Sequence, residues 1–203
     1  MGRPRGGRTF AYMSSMLAAL ALLAAIAVVP ARARASEPVL YVGDSLGVGT
    51  VQQLRSSTPP GALEVDTKVG RGSTEGLAVL NSRLRRRHKI VVFDLGTNDA
   101  NPELLSANLH RARTLAGERL LIVFTLNKPR AQPFNSVIRA FAGSADNVFL
   151  VDWRSAAARG HLLAGDGIHA SPSGYRRRAA LVHAVIRGVS QARWAAARTL
   201  SPR

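Results

Sequence analysis

Gly43-Asp44-Ser45-Leu46-Gly47 fits the G-x-S-x-G pattern, which presents a serine on a tight turn from a strand into a helix. Near neutral pH a serine attacks an acyl carbon only if an adjacent imidazole takes its proton. Asp166-Gly167-Ile168-His169 offers that pairing, a histidine with a carboxylate three residues upstream. Two further polar loops, Val69-Gly70-Arg71-Gly72-Ser73 and Gly96-Thr97-Asn98-Asp99, carry glycine, asparagine and acid. Phosphate cradling fits poorly, because Gly47-Val48-Gly49 and the glycines from Gly70 to Gly76 miss G-x-G-x-x-G spacing and lack the P-loop lysine. The chain has no cysteine, which excludes disulfides, thiolate metal sites and a cysteine nucleophile. No His, Asp and Glu cluster has metal-ligand spacing, so no metal and no cofactor is expected.

These groups need a scaffold that brings four loops to one edge. Apolar, β-rich runs at Val39 to Val42, Val65 to Val69, Ile90 to Leu95, Leu120 to Leu126 and Val148 to Trp153 read as five strands. Helices are predicted between them near Leu46 to Ser56, Ser73 to Arg86, Pro102 to Ala116 and Pro133 to Ala142. A last helix runs from Pro172 to about Val189, with Ser171 as cap and Pro172 at the first helical position. The third and fourth runs are continuously apolar rather than alternating, as parallel strands covered on both faces require. The class is α/β with three layers and a five-stranded parallel sheet. Ligands bind outside the carboxyl ends of such strands, where all four loops fall. The α/β-hydrolase fold is excluded, because it needs several strands before its elbow and only about seven residues separate the expected start of the mature chain from Gly43.

A serine, a glycine, an asparagine and a histidine in this order, on successive strand-end loops, resemble the four-block pattern of the SGNH or GDSL-type hydrolase superfamily. The likeness runs from Val39 to about Val189, with Gly43-Asp44-Ser45-Leu46, Gly72, Gly96-Thr97-Asn98-Asp99 and Asp166 to His169 as its blocks. It implies a flavodoxin-like sheet and hydrolysis of esters or thioesters, some members being acyl-group transferases. It also implies Ser45 as nucleophile, His169 as general base, Asp166 as its orienting acid, and Ser45, Gly72 and Asn98 as the oxyanion hole. Phe93-Asp94-Leu95 and Val151-Asp152-Trp153 look most like domains associated with membrane O-acyltransferases of bacterial envelopes.

The chemistry agrees. On a D-x-x-H turn the carboxylate can accept from imidazole Nδ1, leaving Nε2 to face Ser45. The backbone amides of Ser45 and Gly72 and the Asn98 side chain are donors that could be fixed before charge develops. Asp44 and Asp99 are expected to brace their loops, and Asp94 and Asp152 compete as triad acid without local spacing to a histidine. Arg71 and Asn127 follow strands on the functional edge and are candidates for substrate contact. His88, His110 and His183 are expected at the surface, and His161 in a loop without a partner. The runs Arg85-Arg86-Arg87 and Arg176-Arg177-Arg178 are expected on solvated helix faces.

The 203-residue chain is organised as a leader over 1–35, a single hydrolase-like domain over 36–189 and a tail over 190–203. Arg3, Arg5 and Arg8, the apolar run Leu17 to Val29 and Ala33-Arg34-Ala35 form the three parts of a secretory signal peptide; an uncleaved membrane anchor is the alternative. Its removal takes away five arginines and no acid, so the net charge falls from +16 to +11. Such a surface suits an anionic envelope polymer. Nucleic acid is not expected, since aromatics make up only 5% and no nucleic-acid motif is present. The expected substrate is an acylated small molecule or carbohydrate, and a noncatalytic envelope-binding module is the rival reading; oligomeric state is not legible.

Overall fold

The computed structural model describes residues 37–199, with side chains described through residue 188. The expected leader over 1–35 lies outside the described residues, as do residues 200–203 of the expected tail.

Five strands, β1 (Val39–Gly43), β2 (Leu63–Thr67), β3 (Ile90–Asp94), β4 (Leu120–Phe124) and β5 (Val148–Val151), pair all-parallel in the order β2-β1-β3-β4-β5. Between them run helices α1 (Ser45–Arg55), α2 (Ser73–Arg83), α3 (Pro102–Ala116) and α4 (Ala131–Ala142). After β5 come α5 (Trp153–Arg159) and α6 (Pro172–Thr199). Side chains alternate across a strand, so β1, β3 and β4 feed two separate cores. Leu40, Val42, Val91, Phe93, Leu121 and Val123 pack under Leu80 of α2, Leu105 and Leu109 of α3, and Ile138 and Phe141 of α4. Val39, Tyr41, Ile90, Val92, Leu120, Ile122 and Phe124 face the other way, against Leu46 and Leu54 of α1, Trp153 of α5 and Val182 of α6. This is the three-layer arrangement the continuous apolar runs require. Chain order reverses at β1, with β2 on one side and β3 on the other, and that switch point is where the candidate serine emerges.

Several boundaries differ from the sequence reading, and α2 ends at Arg83, which leaves Arg85, Arg86 and Arg87 exposed in the following turn rather than on a helix face. β2 lies two residues earlier, because its register is set by pairing Leu63 with Val39 and Thr67 with Gly43; Val69 then projects into solvent at 72% exposure. β5 ends at Val151, since Asp152 caps α5 through Ser155 N and so turns Trp153 into a buried helical residue. The last helix continues past Val189 to Thr199. Ser171 caps it as anticipated, its Oγ accepting from Gly174 N at 3.2 Å.

Two surface assignments are corrected. His88 is buried, Nδ1 accepting from Arg85 N at 3.0 Å and Nε2 meeting Glu64 at 3.1 Å. Arg178 is completely buried beneath β1 and β3, while Arg176 and Arg177 are exposed. Its Nη2 donates to both oxygens of Asp94 at 2.7 and 2.6 Å, and its Nε donates to Thr50 Oγ1 at 3.0 Å. Tyr41 Oη donates to the same carboxylate at 2.7 Å, and burial together with Asp94 holds this phenol well above its ordinary pKa, keeping it a donor.

Candidate active site

Ser45 opens α1 directly after β1. Asp44 is the N-cap, its Oδ1 accepting from Leu46 N at 2.9 Å, so the serine is held on the first turn of the helix. Ser45 Oγ lies 3.0 Å from His169 Nε2, and His169 Nδ1 lies 2.6 Å from Asp166 Oδ2. The other Asp166 oxygen accepts from Ile168 N at 2.9 Å and His169 N at 3.0 Å. These bonds, that to His169 first, pull the Asp166 carboxyl down to about 2. An ionised carboxylate only accepts, so Nδ1 carries the hydrogen, and in the neutral imidazole Nε2 is then left as acceptor toward Ser45. The relay is open to solvent, with His169 and Asp166 side chains 41% and 47% exposed. The loop behind it is stitched by Ala164 N to His169 O at 2.8 Å and Ser171 N to Leu162 O at 2.8 Å.

The other two loops meet the same edge. Gly72 caps α2, and a Cβ there would lie 3.1 Å from Asp99 Oδ1, the oxygen that accepts from Ser73 N at 2.7 Å. Asp99 thus braces the Gly72 loop from the β3 side, and Asp44 braces its own. Asn98 Nδ2 donates to Arg71 O at 3.1 Å and lies 3.5 Å from Asp44 Oδ2. Burial, then the charge of Asp94, pushes the Asp44 carboxyl up to about 7.

The Arg71 side chain is buried rather than turned to solvent. It is 5% exposed, with Nη1 donating to Asp66 O at 2.7 Å and Gly43 O at 3.3 Å, and Nη2 paired with Asp66 at 2.7 Å. Through these bonds Arg71 ties the end of β1 to β2. Asn127 turns to the histidine loop, Nδ2 donating to Gly167 O at 2.6 Å. Asp94 and Asp152 are engaged elsewhere, with Arg178 and Tyr41, and with Thr125, Arg139 and Ser155 respectively. Sequence reasoning missed Lys128, whose Nζ donates to Gly96 O, Thr97 O and Asp99 O at 3.2, 3.0 and 3.0 Å. Its carbonyl partners leave no side-chain signature to read. Among the described residues no group of three His, Asp or Glu side chains could hold a metal.

The three-layer fold is similar to that of solved structures of acyl-ester enzymes, GDSL-like lipases among them. The C-terminal catalytic domain of Streptococcus pneumoniae peptidoglycan O-acetyltransferase A matches with a TM-score of 0.65 at 16% identity, over 77% of this chain and 96% of that one. A GDSL-like lipase of Bacteroides thetaiotaomicron matches with 0.65 at 18% identity, over 76% and 89% of the two chains. A family 3 carbohydrate esterase of Clostridium thermocellum gives 0.59 at 18% identity, over 75% and 98%. At the level of sequence, no family profile and no curated relative matches the chain.

Proposed function

We propose that this chain is an exported SGNH-type serine esterase that removes short O-acyl groups, with envelope carbohydrate as the substrate class. The observation that carries the reading is the continuous relay from Ser45 Oγ through His169 to Asp166, at 3.0 and 2.6 Å. Ser45 Oγ attacks the acyl carbon while His169 Nε2 takes its proton, and Asp166 stabilises the imidazolium that forms. The oxyanion is received by the backbone amides of Ser45 and Gly72 and by Asn98 Nδ2, whose contact with Arg71 O fixes its direction beforehand. His169 then protonates the ester oxygen as its bond to the acyl carbon breaks, and water, giving its proton to the same imidazole, attacks the acyl carbon; the bond to Ser45 Oγ breaks and Oγ takes that proton back, releasing the carboxylic acid.

The surface supports a small acyl group. Phe134 and Trp153, which could have formed an apolar mouth, are buried, and Leu162 and Leu163 pack against the core. Among the described residues the exposed large apolar side chains are Val69 and Leu104, too few for a lipid-receiving face. The likeness to a peptidoglycan O-acetyltransferase domain and to a carbohydrate esterase fits acylated glycan. The former also favours a second reading, transfer of the acyl group to a sugar hydroxyl from the same acyl-serine. Export rests on the leader pattern, and the +11 charge left by its removal suits an anionic matrix; no helix among the described residues is long and apolar enough to cross a membrane.

The test is a panel of nitrophenyl esters from acetyl to decanoyl beside O-acetylated glycan. Acetyl to butanoyl esters should give the highest kcat/KM, with acetate released from glycan and turnover lost in Ser45→Ala. Each methylene that finds a pocket is worth about 1 kcal/mol or more, so chain length is a sensitive gauge. A steady climb to decanoyl with glycan untouched would replace this reading with a lipid esterase.

A further inference from the structure

β4 contributes none of the proposed reacting groups, yet the two residues that follow Leu126 touch both loops that do. Lys128 Nζ has three hydrogens, and three carbonyls of the loop around Asn98 accept them, those of Gly96, Thr97 and Asp99. Asn127 Nδ2 donates at 2.6 Å to Gly167 O, the carbonyl between Asp166 and His169. The oxyanion loop and the acid-base loop are therefore gripped by neighbouring residues of one segment.

That segment is itself fixed. The buried Asn135 side chain mimics a paired strand at Leu126, its Oδ1 accepting from Leu126 N at 2.7 Å and its Nδ2 donating to Leu126 O at 3.0 Å. Phe134 lies under the ammonium, with Lys128 Nζ 3.6 Å from the ring centroid. Burial draws the Lys128 pKa down, against the charges of Asp99 and Asp44.

We infer that Asn127 and Lys128 form a positioning clamp, anchored on Phe134 and Asn135, that sets the oxyanion donor Asn98 and the base His169 in register with each other. The inference rests on the esterase reading for its catalytic consequence, but the clamp itself does not. In this assignment both act on loops rather than on reacting atoms, Lys128 through the Asn98 loop and Asn127 through the Gly167 loop. An arginine at 128 cannot converge three hydrogens of one nitrogen on three carbonyls, so Lys128→Arg should not substitute.

The experiment combines turnover with amide hydrogen exchange in Lys128→Met, which keeps an unbranched apolar stem over Phe134, and in Asn127→Ala. Lys128→Met should lower kcat by about 10- to 100-fold with KM within about twofold, the scale of misplacing a catalytic group by about an ångström. In an Asn98→Ala background the same change should cost less than about threefold, because the group it positions is gone. Asn127→Ala should likewise cost less in Asp166→Asn, where the carboxylate bonds that also place His169 are already altered. Equal fold losses in both backgrounds would mark these residues as merely structural and overturn the inference. Exchange is read in Ser45→Ala, where no turnover is needed: amides of 96–99 should exchange faster in Lys128→Met and those of 164–169 faster in Asn127→Ala. Unchanged exchange in both loops would overturn the clamp even if the esterase reading holds; loosened loops in a protein without Ser45-dependent turnover would sink the esterase reading and leave the clamp standing.

Discussion

Replacing Arg178 with leucine should be among the most damaging single changes in α6. The guanidinium and the Asp94 carboxylate are 1% and 4% exposed, so water does not screen their contact at 2.6 Å. Leucine would leave the Asp94 charge buried with Tyr41 Oη as its remaining donor among the bonds described, and would remove the bond to Thr50 and the stacking of the cation 4.6 Å from the Phe124 ring and 4.9 Å from that of Trp153. Breaking a buried pair by deleting one partner costs about 3–5 kcal/mol. A domain of this size loses about 2–4 °C per kcal/mol, so Tm should fall by about 6–20 °C. Urea unfolding, extrapolated to water with the slope checked for constancy, measures it. Adding Asp94→Asn to Arg178→Leu should recover stability, because the orphaned charge is then gone, with a coupling of about 1–3 kcal/mol. Arg176→Leu and Arg177→Leu, on the solvated face, should stay within about 0.5 kcal/mol. An Arg178→Leu protein as stable as those two, or additive losses at 94 and 178, would refute the buried-pair account.

Asn98→Ala should lower kcat by roughly 10²- to 10³-fold with little change in KM, and a pure KM effect in steady-state assays would move Asn98 to substrate binding. Ser45→Ala and His169→Ala should each remove nearly all turnover, and the double variant should be no slower than either single; additive losses would break the relay. Asp44 has its pKa raised to about 7, so the folded protein retains a proton that the unfolded chain releases above about pH 4. This group's contribution to stability therefore declines from about pH 4 to 7 and is flat above; urea midpoints of Asp44→Asn should lack that decline, and an identical pH slope would contradict the raised value. Gly174→Ala should destabilise by about 1–3 kcal/mol in thermal melts, because its Cβ would sit 2.0 Å from the carbonyl oxygen of Leu162; a neutral substitution would mean the loop under α6 yields freely.

What was legible in the sequence is what is local. β3 and β4 announce themselves as unbroken apolar runs, and the D-x-x-H pair is close because three residues on a turn bring acid and imidazole together. β2 was misplaced by two residues because an edge strand is covered less completely, and Leu63–Thr67 has no buried position to mark its ends. α5 was hidden because Trp153 extends the apolar run of β5, and only Asp152 acting as a cap separates them. Burial of His88 and Arg178 depends on Glu64 and Asp94, 24 and 84 residues away, so an arginine run reads as surface until the partner is placed. Lys128 was invisible for a related reason: backbone carbonyls accept it, and every residue type has one.

The central claim, that Ser45 is the activated nucleophile, is tested most directly by treating the protein with a fluorophosphonate and locating the adduct by mass spectrometry. The account predicts one phosphonyl group on the peptide bearing Ser45, absent in Ser45→Ala and much slower to form in His169→Ala. Ser57 offers an internal comparison, since its Oγ also meets a histidine, His183 Nε2 at 2.5 Å. A label on Ser57, or no label on Ser45 in the folded wild-type protein, would contradict the account.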